Sequence, residues 1–165
     1  MSDTPLDALD LLDAEHKAAR ELFRAYRELA ANDAPEARRK ALAEQICMEL
    51  TIHAKLEEEL FYPVVREAIR DDDLLDEAEV EHMAARDLIV QILSMDPHEV
   101  LYDAKVTVLG EYIDHHVREE RGEIFPKVRR SGVDLARMAG LLRVRRRELE
   151  AVPEALREEL LVSVA

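Results

Sequence analysis

The sequence is short of cysteine, glycine and positive charge, and each shortage excludes a class of structure or of binding partner. One cysteine, Cys47, occurs among 165 residues, so a disulfide within the chain is impossible. A lone thiol fits a reducing compartment, which predicts a cytoplasmic protein. Cys47 stands in an apolar run, where a small core residue is favoured over a nucleophile. Only four glycines occur, and alanine, leucine, glutamate and arginine dominate, which favours helix almost throughout.

Positive charge is in deficit, with 23 lysines and arginines against 37 aspartates and glutamates and a net charge of −14. This balance argues against nucleic acid or an anionic membrane surface as a partner. No apolar run approaches the roughly 20 residues needed to span a bilayer, and the acidic N-terminus lacks a signal-peptide pattern. We expect a soluble chain with a real core, as a monomer or weak homodimer.

What the sequence does contain is an internal repeat built on histidine and glutamate. Residues 53–63 (HAKLEEELFYP) align without gaps with residues 116–126 (HVREERGEIFP). The aligned pairs are His53 with His116, Glu57 with Glu120, and Pro63 with Pro126. Residues 15–23 (EHKAARELF) likewise align with residues 81–89 (EHMAARDLI), which pairs His16 with His82. The order is therefore His and then His-x-x-x-Glu, twice over.

The spacing within His-x-x-x-Glu suits a shared metal ion. Residues four apart lie on one helical face, about 6 Å apart along the axis. An imidazole and a carboxylate in that position can bind one metal ion, or one metal and its neighbour. A single such pair arises by chance in charged helices, so the repetition is what indicates a site.

The hydrophobic periodicity predicts an all-α protein, an up-down-up-down four-helix bundle with an additional C-terminal helix. The predicted helices cover about residues 6–31, 35–63 with a further turn or two to 69, 71–94, 96 to the region of 126–131, and 133–152. Residues 1–131 would form the bundle and residues 132–165 a C-terminal helical extension. The basic middle of the last helix, residues 143–147, is interpreted as a solvated face, with docking on the bundle or self-association as alternatives.

All four repeated histidines fall on predicted core stripes, and this placement indicates metal. Burying unpaired polar groups costs several kcal/mol each, and isolated carboxylates cost more. Metal cations supply the missing positive charge, and a purely structural polar core is the alternative. Four imidazoles and two carboxylates are more ligands than one tetrahedral zinc ion can bind. Divided by the repeat, they give two histidines to each of two metals and leave two carboxylates to bridge, a mixed set that favours iron.

The motif order, with Phe-Pro or Tyr-Pro closing each copy, resembles the hemerythrin or HHE cation-binding family over about residues 10–130. The resemblance implies two non-heme iron ions, with an oxo or hydroxo bridge expected between them. By resemblance, His16 and His53 bind one iron, His82 and His116 bind the other, and Glu57 and Glu120 bridge.

Two positions depart from the oxygen-carrying members of that family. The carriers have a further histidine one turn before His82, where this chain has Ala78. They also have a shorter aspartate where this chain has Glu120. Both departures resemble the bacterial four-histidine proteins and the iron-sensing type of the domain. They count against reversible oxygen carriage.

The resemblance implies a protein that handles O2, hydrogen peroxide or NO, and catalase-like peroxide disproportionation is one activity it can support. An iron- or oxygen-sensing or iron-binding module without turnover is the alternative. A structural bundle without metal is a third hypothesis. The sequence does not choose between the first two, because both need the same six ligands.

Four further residues are predicted to support the site or add a ligand: Tyr112, Glu49, Glu58 and Glu81. Tyr112 lies one turn before His116 and would point toward the metal in a regular helix. Direct ligation of ferric iron and a hydrogen bond to Glu49 are the alternatives for its hydroxyl. Glu58 and Glu81 are rivals for the position that the missing histidine leaves. His115 and His98 are expected to lie outside the site.

Overall fold

The structure is a computed structural model that describes residues 4–163, and its regular secondary structure there is entirely helical. The helices are α1 (Ala8–Ala31), α2 (Glu36–Leu56), α3 (Tyr62–Ile69), α4 (Asp72–Leu93), α5 (Tyr102–Glu119), α6 (Phe125–Ser131), α7 (Leu135–Glu150) and α8 (Pro153–Val162). Helices α1 and α4 each contact both α2 and α5, which makes a four-helix bundle. The predicted all-α bundle is confirmed. Within residues 4–163, no helix has the length and apolar character that crossing a membrane requires.

Two π-helical turns carry the chain past the repeated prolines. They are Glu57–Phe61, between α2 and α3, and Glu120–Ile124, between α5 and α6. In the first, the Tyr62 amide donates to the Glu57 carbonyl five residues earlier. The next residue is Pro63, which has no amide proton and cannot join the α-helical pattern. The wider turn takes up one extra residue, so the helix continues beyond the proline instead of ending there.

One predicted helix start was wrong. The fourth bundle helix begins at Tyr102, not at residue 96, because residues 96–101 form consecutive turns. Within them the Glu99 carboxylate accepts the Asp96 amide at 2.6 Å, and such local bonds compete with helix. The predicted start of the second helix near residue 35 agrees with α2, which follows Pro35. Helix α4 is capped by Asp71, whose Oδ1 accepts the Leu74 amide.

The core consists of two apolar clusters with a polar layer between them. The cluster near the π-helical turns contains Leu9, Leu56, Phe61, Leu75, Ile124 and Phe125. The other contains Phe23, Ile46, Leu50, Ile89, Val106 and Leu109. Buried polar residues of α1, α2, α4 and α5 and the two π-helical turns lie in the layer between. Burial of both clusters holds the four helices in the register that brings these polar side chains together.

The chain after residue 132 forms two helices that dock on the bundle, where one was predicted and the tail after Pro153 was left unplaced. Helix α7 packs against α1 and α2, and α8 packs against α2, α4 and α7. The basic part of α7 was expected to be a solvated face, and this was wrong for Arg146. Its guanidinium binds Glu15 of α1 and Glu49 of α2, so α7 is tied electrostatically to the bundle.

Candidate metal centre

Four histidines turn their Nε2 atoms toward one another in the polar layer. The Nε2 atoms of His16 and His53 are 3.1 Å apart, and those of His82 and His116 are also 3.1 Å apart. Each pair joins one histidine from each helix of a repeat, α1 with α2 and α4 with α5. The structure therefore brings together all four histidines that the repeat singled out.

Two glutamates lie between the histidine pairs and each reaches both of them. Glu57 Oε1 is 3.1 Å from His53 Nε2 and 3.3 Å from His82 Nε2. Glu120 places Oε2 at 3.2 Å from His16 Nε2 and Oε1 at 2.6 Å from His116 Nε2. Both carboxylates thus belong to two overlapping four-residue groups, one around each histidine pair.

The buried carboxylates have too few protein donors, and this is the strongest indication that the residues fit metal ions. Glu57 and Glu120 are 0% exposed, yet both Glu57 oxygens and Glu120 Oε2 have no hydrogen-bond partner within residues 4–163. Leaving such groups unpaired costs several kcal/mol each. Metals bind nitrogen and oxygen at about 2.0–2.2 Å, which places neighbouring ligand atoms about 3 Å apart. The separations between these nitrogens and oxygens match that spacing, so cations fit each group.

Protons on the histidines balance the buried carboxylates in the chain without metal. Burial lowers the pKa of His53, but Glu57 and Glu15 raise it to about 10. Burial also opposes the charged form of His116, yet Glu120 and Glu57 hold its pKa well above the ordinary value. Burial raises the pKa of Glu57, while His53, Glu120 and His116 together outweigh it and keep the pKa well below the usual range. Metal binding must therefore displace protons.

Outer carboxylates orient three of the four rings by accepting the Nδ1–H group. Glu15 accepts from His53 at 2.8 Å, Glu58 from His82 at 3.2 Å, and Glu81 from His116 at 3.2 Å. Such bonds fix the tautomer that presents Nε2 inward, and they are typical of histidines that bind metal. Glu58 and Glu81 therefore contact ligand histidines from outside, and no interaction of either carboxylate with the inward Nε2 atoms is present among residues 4–163.

The sequence analysis missed Glu15, although the repeat contained the signal. A glutamate precedes the histidine in both segments, as Glu15–His16 and Glu81–His82. In both halves this glutamate contacts the histidine of the neighbouring helix, so the two are structurally equivalent. His16 differs from the other histidines, because the carboxylate on its Nδ1 side, that of Asp13, is 3.8 Å away and pairs with Arg121.

Tyr62 is the second residue that was missed, and its hydroxyl lies inside the centre. It donates to Glu120 Oε1 at 2.5 Å and is 3.2 Å from His116 Nε2 and 3.4 Å from His82 Nε2. Burial, together with Glu120 and Glu57, raises its pKa well above the usual range. The equivalent residue in the other half is Phe125, which stacks on His16. The tyrosine in the first repeat's Tyr-Pro was the available signal.

The prediction that Tyr112 points into the bundle was wrong, since the residue is 46% exposed. The buried face of α5 is centred on Val106, Leu109 and Ile113, and His116 lies at its edge. One turn before His116, at 100° per residue, Tyr112 falls about 90° from the centre of that face. Its predicted partner Glu49 binds Arg146 instead. Glu49 is not among the carboxylates and histidines that can hold a metal ion within residues 4–163.

Comparison with known proteins gives one family and two relatives. The family model described as Hemerythrin HHE cation binding domain matches residues 7–128. A crystal structure of a hemerythrin HHE cation-binding domain-containing protein from Mycobacterium kansasii superposes with a TM-score of 0.77 at 22% identity, covering 96% of this chain and 99% of that one. This likeness concerns the fold.

A protein named DNA nickase, from Nostoc sp. (strain PCC 7120 / SAG 25.82 / UTEX 2576), is 33% identical over 85 residues. The matched region is 52% of this chain and 24% of that protein. The chain thus spans about a quarter of the length of this relative.

Proposed function

Since the chain belongs to the hemerythrin HHE cation-binding domain family, we propose that it holds two non-heme iron ions and uses them to handle dioxygen, hydrogen peroxide or nitric oxide. The observation that carries this proposal is the pair of buried carboxylates, three of whose four oxygens have no hydrogen-bond partner within residues 4–163, set among four inward imidazole nitrogens. A purely structural polar layer would have to balance these carboxylates with protonated histidines alone.

The two overlapping groups divide the six residues between two ions. His16 and His53 would hold one ion, His82 and His116 the other, with Glu57 and Glu120 shared. Nitrogen and carboxylate oxygen together suit iron, and two histidines per ion leave positions for an exogenous molecule. The bound metal would supply the redox chemistry and the open coordination position.

The protein's own residues would orient the ligands, exclude water and hold a proton. The glutamates at Nδ1 keep three imidazoles in one tautomer, and the cluster around Phe61 and Phe125 closes one side of the polar layer. In the chain without metal Tyr62 holds a proton 2.5 Å from Glu120, inside the centre, and Tyr62 would lose that proton on binding a ferric ion there. Disproportionation of two peroxide molecules to water and dioxygen needs no protein nucleophile, and is the first reaction to test.

A sensing role is the second candidate, because one contact links the centre to the C-terminal helices. Arg146 of α7 binds Glu15, and Glu15 accepts from His53. Occupancy of the ion site formed by His16 and His53 would thereby affect how α7 packs on the bundle. A partner that binds the α7–α8 surface would detect this change. DNA cleavage is not proposed, because the nickase match covers 24% of that protein and this chain carries a net charge of −14.

Metal analysis of histidine variants tests the ligand set. The protein loaded anaerobically with ferrous iron and desalted should hold about two iron ions per chain, and His53→Ala or His116→Ala should each lose at least one. His98→Ala is the matched control, since His98 is exposed in the turn before α5 and should leave the count unchanged. Full iron content in both site variants would refute the ligand assignment.

Oxygen evolution distinguishes the two roles. An iron-loaded sample should release dioxygen from added peroxide at a rate that scales with its iron content, while a chelated sample should not. If the protein releases dioxygen no faster than an equal amount of free iron does, the peroxide reaction is refuted and the sensing role is the remaining candidate.

A further inference from the structure

A cavity of about 650 Å³ lies beside the candidate metal centre. The four inward histidines form part of its wall, whereas Glu57, Glu120 and Tyr62 do not line it. Helices α1, α2, α4 and α5 supply most of the lining, and Arg146 of α7 and Leu160 of α8 complete it. The cavity therefore meets the centre at its histidine side and extends to the C-terminal helices.

This volume is large for the small molecules of the proposed function. A single water occupies about 30 Å³ in the liquid, and dioxygen, peroxide and nitric oxide are of similar size. Pockets that hold organic ligands typically measure about 300–1,000 Å³. The volume of this cavity falls within the range for organic ligands. Passage of a diatomic molecule or peroxide to the centre does not explain a cavity of this size.

The space exists because two equivalent alanines occur where larger side chains would fill the bundle. Ala19 and Ala85 occupy the same position in the two repeats and both line the cavity. Around them the wall is apolar, with Leu22, Leu50, Ile89 and Leu160. A cavity with such a wall favours apolar occupants, as engineered cavities that bind benzene do.

The charges around the cavity decide which apolar molecules fit. Besides the four histidines, whose charge is set against Glu57 and Glu120, two arginines and one lysine line it among residues 4–163, and each of these three is already paired with a glutamate of the same wall. The pairs are Lys55 with Glu159, Arg86 with Glu58, and Arg146 with Glu15 and Glu49. Glu21 and Glu81 add further negative charge. A carboxylate, sulfonate or phosphate on the occupant would therefore meet a surplus of acidic groups.

We propose that this cavity is a binding site for an uncharged, mainly apolar organic molecule, which lies against the histidine side of the metal centre. Binding itself needs only the cavity. A role for the bound molecule as a substrate of the centre rests on the proposed function.

A pair of probes that differ only in charge tests the proposal. N-phenyl-1-naphthylamine is uncharged, and 1-anilinonaphthalene-8-sulfonate is the same skeleton with a sulfonate. Titration calorimetry on the full chain should show one site for the uncharged probe. The affinity of that site for the uncharged probe should be at least about tenfold higher than its affinity for the sulfonate. Equal affinity for both, or no binding of the uncharged probe, would overturn the proposal.

Filling the cavity locates the site. Ala85→Leu should lower the affinity for the uncharged probe at least about tenfold. The control is Ala84→Leu, at an exposed neighbour on α4 that does not line the cavity, and it should leave the affinity unchanged. Ala19→Leu repeats the test from α1, with helix content and thermal midpoint measured for every variant. Unchanged binding in a folded Ala85→Leu or Ala19→Leu protein would place the probe elsewhere and overturn the proposal.

Iron counted in the same samples separates this inference from the proposed function. About two iron ions with no uncharged-probe site would refute the cavity proposal alone. A probe site that Ala85→Leu abolishes, in a protein that retains no iron after loading, would support the cavity and refute the iron centre.

Discussion

At the scale of single residues, Tyr62 makes the two halves of the centre chemically different. The repeat places it opposite Phe125, and only the tyrosine brings an oxygen donor among the ligand atoms. The hydroxyl lies nearest to the group formed by His82 and His116. The ion in that group would thus gain a ligand that the other ion lacks, a position for which the sequence analysis had considered Tyr112, Glu58 and Glu81.

Tyr62→Phe should remove a visible charge-transfer band from the ferric protein, because a phenolate bound to ferric iron absorbs visible light and phenylalanine offers no oxygen. The measurement is the absorption spectrum of iron-loaded wild-type and variant proteins at equal iron content. Tyr112→Phe is the control and should leave the spectrum unchanged, since that residue is 46% exposed on the wall of the cavity. The same spectrum in Tyr62→Phe and wild type would show that Tyr62 does not bind iron.

Cys47 should behave as a core residue. It is fully buried, and burial raises its pKa from 9.0 to about 12, which lowers the thiolate fraction near pH 8 about a thousandfold. We expect a disulfide reagent to modify the native protein only as fast as the fold opens, and to modify the urea-unfolded chain at once. Rapid modification of the folded protein at pH 8 would contradict this.

At the scale of elements, helix α7 contacts the half of the candidate centre that contains His53. Its Arg146 makes contacts of 3.1 Å with Glu15, 2.5 Å with Glu49 and 2.8 Å with Glu150. Through Glu15 the helix orients His53. The equivalent Glu81 in the other half contacts the largely exposed His115 instead of an arginine. The extension beyond the matched family region therefore contributes to the centre.

Arg146→Ala should weaken iron binding at the His53 ion and lower the stability of the fold by about 1–3 kcal/mol, because three carboxylates lose their shared donor. Iron content and urea unfolding are the measurements, and iron loss should stop at about one ion per chain. The matched control is Arg145→Ala, whose residue binds Glu59 and Glu148 near the surface. Surface pairs of this kind contribute about 0–1 kcal/mol. Equal effects of the two substitutions would contradict the role of Arg146.

At the scale of the whole molecule, the centre makes stability depend on pH with opposite sign in the two metal states. Without metal, the pKa of His53 is raised to about 10 from an ordinary 6.5, so its protonation stabilises the fold below pH 6.5. That contribution is lost as the pH rises through about 10. With metal bound, the imidazoles must be neutral, so acid releases the ions and their stabilisation.

The thermal midpoint of the iron-loaded protein should therefore fall between about pH 7.5 and pH 5.5, while that of the chelated protein should not fall over the same range. Circular dichroism melts of both forms at each pH, with iron counted before heating, make the comparison. Parallel curves for the two forms would mean that the histidines do not bind the metal that stabilises the fold.

The sequence by itself determined the helical class and which six residues meet. Few glycines and a strong helical period favour helix throughout, and the repeat of His at an offset of 66 residues and of His-x-x-x-Glu at an offset of 63 residues puts those side chains on inward faces. Both signals depend on spacing along one helix, which a sequence displays directly. The turn before α5 was not predicted, because the hydrogen bond from the Asp96 amide to the Glu99 carboxylate competes locally with helix.

Only the tertiary structure decided what surrounds the six residues. The hydroxyl of Tyr62 enters the centre because a π-helical turn resets the helix just before Pro63, and Arg146 reaches Glu15 because α7 docks on α1 and α2. The cavity beside the histidines likewise depends on how four helices and α8 leave room around two alanines. Contacts between residues far apart in the chain follow from packing of whole faces, and no periodicity within one segment encodes them.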